Sequence, residues 1–167
     1  LHLTMATFRR VLGPGGDERL SDLEAGIVLQ AYLSDSLPAL AELTTWARQR
    51  VAAGGAAIKV RLVKGANLAM ECVDAELHGW SQAPYLTKAD VDANYKRLVE
   101  WALRPEHTVA VRVGVASHNL FDVCFALVLA EQRGVSDRLD IEMLEGMADA
   151  QAAVVRRRAG RLVLYTP

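Results

Sequence analysis

Apolar residues fall along this chain in two alternating patterns. Short runs rich in β-branched residues predict strands at Ile27–Tyr32, Ala57–Val63, His107–Val113, Leu139–Leu144 and Arg161–Tyr165. These runs lack a clean polar/apolar alternation, which suits strands covered on both faces. Between them the apolar positions recur at helical spacing. Ser36 is a candidate cap for a helix with the stripe Leu37, Leu40, Leu43, Ala47 and Val51, stopped by Gly54-Gly55. Thr87 to Asp90 fits a capping box before Val91, Tyr95, Leu98 and Ala102. Asn119 precedes Leu120, Val123, Leu127 and Ala130, with Gly134 as the stop, and a further helix is expected over Ala148–Arg157. Leu3–Leu12 reads as an opening helix with no strand before it. The loop Gly13–Asp17 is rich in breakers but too short to link two domains.

Strand and helix in alternation mean βαβ units and a parallel sheet. The chain of 167 residues is the length of one domain. A doubly wound open sheet of five strands fits that length on periodicity alone. A (β/α)₈ barrel needs about 250 residues, so only part of one fits.

Composition narrows the function classes. With 51% hydrophobic and 23% charged residues the chain is globular, with a core. A net charge of −1 removes the usual reason to expect nucleic acid or an anionic membrane surface as a partner. No apolar run approaches the roughly 20 residues of a spanning helix. Cys72 and Cys124 show no CxxC pairing and are expected to be buried thiols in a reducing compartment. Trp46, Trp80 and Trp101 are expected to pack helices, and Arg156–Arg158 to form a solvated helix end.

A strand covered on both faces offers no cheap place for charge, since an unpaired buried ion costs several kcal/mol. Yet Gln30, Arg61, Arg112 and Glu142 all stand inside predicted strands, near what the pattern makes their carboxyl ends. In parallel α/β folds that end carries the ligand site. The competing reading is a buried Arg61–Glu142 or Arg112–Glu142 pair that serves only the fold. Arg61 to Ala66 ends a strand with two cations and a glycine leading into a helix, an arrangement suited to an anion such as phosphate. Neither GxxxxGK[ST] nor GxGxxG occurs. Ser117-His118-Asn119 follows the third strand; Asn119 is equally a plain helix cap. No metal site is expected, because the other histidines share no ligand spacing with His118. No GxSxG nucleophile elbow occurs.

Five pieces stand together at these strand ends: GIVLQAY (Gly26–Tyr32), RLVKGAN (Arg61–Asn67), ASHN (Ala116–Asn119), MLEGM (Met143–Met147) and LYTP (Leu164–Pro167). In order and spacing they resemble the proline dehydrogenase family, above all the flavin-dependent half of bifunctional bacterial proline utilisation proteins. The resemblance spans the whole chain. It implies a (β/α)₈ TIM-type barrel binding FAD non-covalently, with residues 1–167 supplying one partial domain, about strands four to eight.

The resemblance also implies roles. Gln30 matches a glutamine near the flavin ring, and Arg61 an arginine beside flavin N5. Lys64, Gly65 and Ala66 match the loop that holds the cofactor. Thr87 and Lys88 resemble residues reaching toward its ribityl and phosphate groups, and Ser117, His118 and Asn119 resemble the stretch that contacts its tail. Leu144 and Tyr165 match residues that shape the proline pocket. Asn67 and Leu68 stand where many relatives carry aromatics that stack on the cofactor. An aspartate, a first-strand lysine, and a last helix with paired arginines and a glutamate belong to the family but not to these residues. The expectation is therefore that this chain alone binds FAD weakly or not at all and does not oxidise proline. The implied activity is oxidation of L-proline to Δ1-pyrroline-5-carboxylate with electrons passed to a quinone. The implied location is the cytoplasm, with peripheral association of the full protein with the inner membrane left open. The open edges of a partial sheet predict self-association or a companion segment. Without the resemblance, the same residues allow a small α/β domain for a phosphorylated ligand at Lys64-Gly65, or a non-catalytic interaction module.

Overall fold

The computed structural model describes residues 1–13 and 16–166. Pro14, Gly15 and the final proline of the LYTP piece lie outside the described residues. The element order is α1 (His2–Leu12), β1 (Gly26–Gln30), α2 (Ser36–Ala52), β2 (Ile58–Val63), α3 (Leu68–His78), α4 (Lys88–Ala102), α5 (Pro105–Thr108), β3 (Val111–Ala116), α6 (Leu120–Gln132), β4 (Leu139–Leu144), α7 (Asp149–Ala159) and β5 (Leu162–Tyr165). All five strands are parallel and lie in the order β1-β2-β3-β4-β5. A doubly wound sheet requires a reversal of strand order. This sheet has none.

Right-handed crossovers between strands in sequential order put the connecting helices on one face. That face is apolar. Register aligns Leu29, Leu62, Val115, Ile141 and Leu162 across the sheet, and Ile27, Val60, Val113 and Leu139 in the row below. They join Leu40, Leu43, Leu98, Val123 and Ala126 of α2, α4 and α6 in one core cluster. Burying each larger side chain contributes about 1.5–3 kcal/mol. The other face carries Lys59, Arg61, Arg112, Asp140 and Glu142. β2 thus alternates, with Ile58, Val60 and Leu62 buried and Lys59, Arg61 and Val63 half-buried. The expectation of strands without alternation holds for β4, buried from Leu139 to Met143, and for β3 from Val113 to Ala116, whereas β1 and β2 alternate.

Several boundaries differ from the sequence reading. The third strand begins at Val111 rather than His107, because Arg104-Pro105 starts a short helix with proline in its first turn. His107 stacks on Trp101 with ring centroids 3.6 Å apart and its Nδ1 lies 2.7 Å from the Trp101 carbonyl oxygen. Arg112 consequently sits at the amino end of β3, not the carboxyl end. Asp35, not Ser36, is the residue before α2. The Ser36 hydroxyl instead accepts from Asn94 Nδ2 at 2.9 Å, tying α2 to α4, and the same nitrogen donates to the Ala31 carbonyl at 2.9 Å. Thr87 and Asn119 do cap their helices, accepting from the Asp90 and Phe121 amides. Cys124 is exposed and Cys72 half-buried, so neither is a buried thiol. Trp46 and Trp101 pack on the core. Trp80 lies beyond α3, is 64% exposed and stacks on His78.

At the amino ends of the strands, a buried arginine replaces an apolar plug. Arg50 donates to the carbonyls of Leu12 (3.1 Å), Leu20 (2.8 Å), Ser21 (2.8 Å), Leu23 (3.2 Å) and Ala56. Among the described residues, no helix is long and apolar enough to cross a membrane.

Candidate active site

The carboxyl ends of β1 and β2 are joined beyond the strands themselves, with the Ala31 amide donating to the Val63 carbonyl at 2.7 Å and Tyr32 to Lys64 at 2.9 Å. Gln30 is the last residue of β1 and half-buried. Gly65 turns at φ +120°, and the Tyr32 ring lies so close that a Cβ on Gly65 would stand 1.7 Å from it. Only glycine fits there. The Tyr32 hydroxyl donates to Glu71 at 3.3 Å. Burial, and then the Glu71 carboxylate, push this phenol up from its ordinary value.

On the charged face of the sheet, five side chains form one network. Arg61 Nε donates to Glu142 Oε2. Lys59 Nζ lies 2.7 Å from Glu142 Oε1 and 2.9 Å from Asp140 Oδ2. Arg161 Nε reaches Asp140 Oδ1 at 3.1 Å. Both acids are fully buried, whereas the side chains of Lys59 and Arg61 keep 23% and 30% of their surface exposed. Gly114 makes room: a Cβ there would stand 2.3 Å from Glu142 Oε1. Arg112 joins from the amino side, 3.0 Å from Glu24 and 3.8 Å from Asp140. The Arg61–Glu142 pair anticipated from sequence is therefore present, and the Arg112–Glu142 alternative is not among the ion pairs found.

The guanidinium of Arg61 does more than pair. Its carbon lies 4.6 Å from the centroid of the Tyr165 ring, within cation–π range. Tyr165 neighbours Leu144 across β4 and β5. The Leu144 amide donates to His118 Nε2 at 3.1 Å. Because Nε2 accepts, the ring proton resides on Nδ1. That Nδ1 is buried and has no hydrogen-bond partner among the described residues. Ser117 donates to Asp122 at 3.3 Å and accepts from the Asn119 amide at 3.1 Å, which fixes the turn carrying His118.

Lys64 and Lys88 belong to a second cluster. Lys64 Nζ lies 2.8 Å from Asp122 Oδ2 and also pairs with Asp92, which Lys88 pairs with as well. Burial pulls the Lys64 ammonium down, but hydrogen bonds to Asp122 and Asp92 outweigh it and hold Lys64 above its ordinary value. Lys64, then Lys88, hold the Asp92 carboxyl below its usual range. A phosphate-ligand site at Lys64-Gly65 thus meets a lysine already matched by two carboxylates. Thr87 serves as helix cap, its hydroxyl also donating to Asp90 at 2.6 Å.

The structure therefore brings Arg61, Leu144, Tyr165 and His118 together at adjacent strand ends. It sets Lys64, Thr87 and Lys88 with α4. Sequence reasoning passed over Lys59, Asp140 and Gly114. Their signal was the period-two spacing of Lys59 with Arg61 and of Asp140 with Glu142, which places each pair on one face.

A family model described as proline dehydrogenase matches residues 1–167. The chain belongs to the proline dehydrogenase family. Solved structures agree. Proline utilization A from Corynebacterium freiburgense is 57% identical with a TM-score of 0.92, over 100% of this chain and 17% of that one. Proline utilization A from Bdellovibrio bacteriovorus, inactivated by N-propargylglycine, is 33% identical with a TM-score of 0.88, over 99% and 17%. A Bradyrhizobium japonicum proline utilization A mutant, at 24% identity and a TM-score of 0.76 over 99% and 16%, shares the fold. The chain thus spans under a fifth of each of these proteins. A search of curated proteins found no match.

Proposed function

We propose that this chain contributes catalytic residues to FAD-dependent oxidation of L-proline to Δ1-pyrroline-5-carboxylate, with a quinone as final acceptor, the family's implied activity. The carrying observation is the half-exposed Arg61, held at Nε by Glu142 while its outer nitrogens, beside Tyr165, have no hydrogen-bond partner among the described residues. The residues present fit a flavin. Unmatched donors, the outer Arg61 N–H groups and the orphaned His118 Nδ1–H, stand at neighbouring strand ends and suit the carbonyl, ring-nitrogen and phosphate acceptors of FAD.

Bound FAD supplies a two-electron hydride acceptor. The chain's residues supply the surroundings. Arg61 places a fixed positive charge where the accepting ring gains negative charge. Gln30, Gly65 and Ala66 line the approach, and Ser117, His118 and Asn119 hold the tail through side-chain and amide donors. Lys88, its other contacts in solvent, and Thr87 serve the ribityl and phosphate region. Lys64 supports the site by anchoring α4 and α6 beneath it. Leu144 and Tyr165 form an apolar wall for the five-membered ring and exclude water. Proline loses a hydride from the ring carbon next to nitrogen and a proton from nitrogen, leaving a C=N bond.

The sheet reads as part of a (β/α)₈ barrel over residues 1–167. Sequential parallel order, helices on one face and polar side chains on the other support this, as does placement of the site at the carboxyl ends. The edge strands β1 and β5 would then pair with further strands or another copy. The test is the full-length protein. It should purify with FAD, bleach on adding L-proline and release a cyclic imine. Arg61→Met should lower the flavin's reduction potential; FAD content and potential unchanged by that variant would overturn the reading.

A further inference from the structure

We infer that Glu142 is a positioning residue that aims Arg61, and that Lys59 and Gly114 exist to aim Glu142. This rests on the reading that Arg61 faces the flavin. The geometry divides the labour of one carboxylate. Glu142 Oε2 accepts from the inner Nε of Arg61, whereas Oε1, without a hydrogen-bond partner among the described residues, faces Lys59 Nζ at 2.7 Å as an ion pair. Held at Nε by Glu142 and against the Tyr165 ring, the guanidinium is positioned by two contacts that leave its outer nitrogens for a ligand. A bidentate clasp through those nitrogens would have spent them. Lys59 is itself bound to Asp140 at 2.9 Å, and Asp140 to Arg161 at 3.1 Å, so Glu142 Oε1 is held from below by a chain of opposite charges. Gly114 is the space in which the carboxylate lies, since any Cβ there would overlap Oε1.

A purely structural pair has no need of this asymmetry. Full burial of two acids beside partly exposed cations is costly, and an apolar pair of similar volume would fill the same strand positions. The arrangement makes sense when the position of the Arg61 charge matters more than the stability of the pair. Rigid support from behind a site, on strands rather than loops, is how such a charge is held.

The experiment is a cycle in the full-length flavoprotein, with Glu142→Gln and Lys59→Met each made in the native and Arg61→Met backgrounds. Glu142→Gln keeps side-chain volume, and FAD content and far-ultraviolet circular dichroism report folding. The readouts are the flavin reduction potential and the visible spectrum of the oxidised flavin. Both variants should move the potential with Arg61 present, Glu142→Gln more than Lys59→Met, and neither should move it once Arg61 is methionine. Equal shifts in both backgrounds, or none in either, overturn the inference. If Arg61→Met alone changes nothing, the flavin reading fails instead. Should Glu142→Gln lose FAD and structure, Lys59→Met carries the same cycle.

Discussion

The two faces of the sheet solve opposite problems with the same five strands. Toward the helices, Leu62 and its row mates pack against aliphatic side chains of the helices in one core. Toward the other side, Lys59, Arg61, Asp140 and Glu142 are held together by ion pairs, with one hydrogen bond from Arg61 to Glu142. The first face gains stability from area removed from water. The second holds charges whose desolvation roughly cancels their attraction. Area thus sets the first face, whereas the matching of individual charges sets the second.

Leu62→Ala should destabilise most, by about 4 kcal/mol, as a cavity in a packed core; urea denaturation measures it. Lys59→Ala should cost about 3 kcal/mol, less than a full orphaning because Arg61 and Arg161 still face the two acids. The contrast sharpens if Lys59, Asp140 and Glu142 are replaced together by Met, Leu and Leu. Stability should then recover toward the native value while flavin binding does not. Continued loss of stability would show that the charged face holds the fold after all. Gly114→Ala should cost about 2 kcal/mol by overpacking against Glu142. Thr87→Ala should cost about 1 kcal/mol as a lost cap.

Acid supplies the smallest effect. Arg133, then Arg104, hold the Glu100 carboxyl low, as Lys64 and Lys88 hold Asp92. The unfolded chain binds these protons more readily than the folded one, so stability is present above the ordinary carboxylate range. It should fall as pH drops below about 4. A denaturation midpoint constant from pH 6 to pH 3 would contradict this.

Much of this was legible beforehand, for reasons that differ by residue. Thr87 and Asn119 announce themselves because capping is local chemistry. The order of βαβ units follows from turn residues and periodicity, but strand order does not, so the open doubly wound sheet stayed in play until the pairing was known. The third strand was misplaced because Val109, Ala110 and Val111 form one apolar run. Nothing in that run marks where Pro105 lets go of a helix and the strand begins. Arg112 moved to the wrong end of its strand as a result. Arg61 and Glu142 were found as polar residues in apolar strands, and so was their pairing. Lys59 and Asp140 carry a weaker signal because they stand before the strand ends, one pleat down from Arg61 and Glu142. Gly114 looks like any strand glycine until the carboxylate above it is seen.

Arg50 has a consequence of its own. A single side chain threads loops from three separate stretches of backbone onto one rivet beneath the amino ends of the strands. Lysine, a compact point charge, cannot span such a fan of carbonyls. Damage at this rivet should therefore loosen the underside as a unit, at the far end of the strands from Arg61. The molecule keeps its anchorage and its chemistry at opposite poles, so each can vary without disturbing the other.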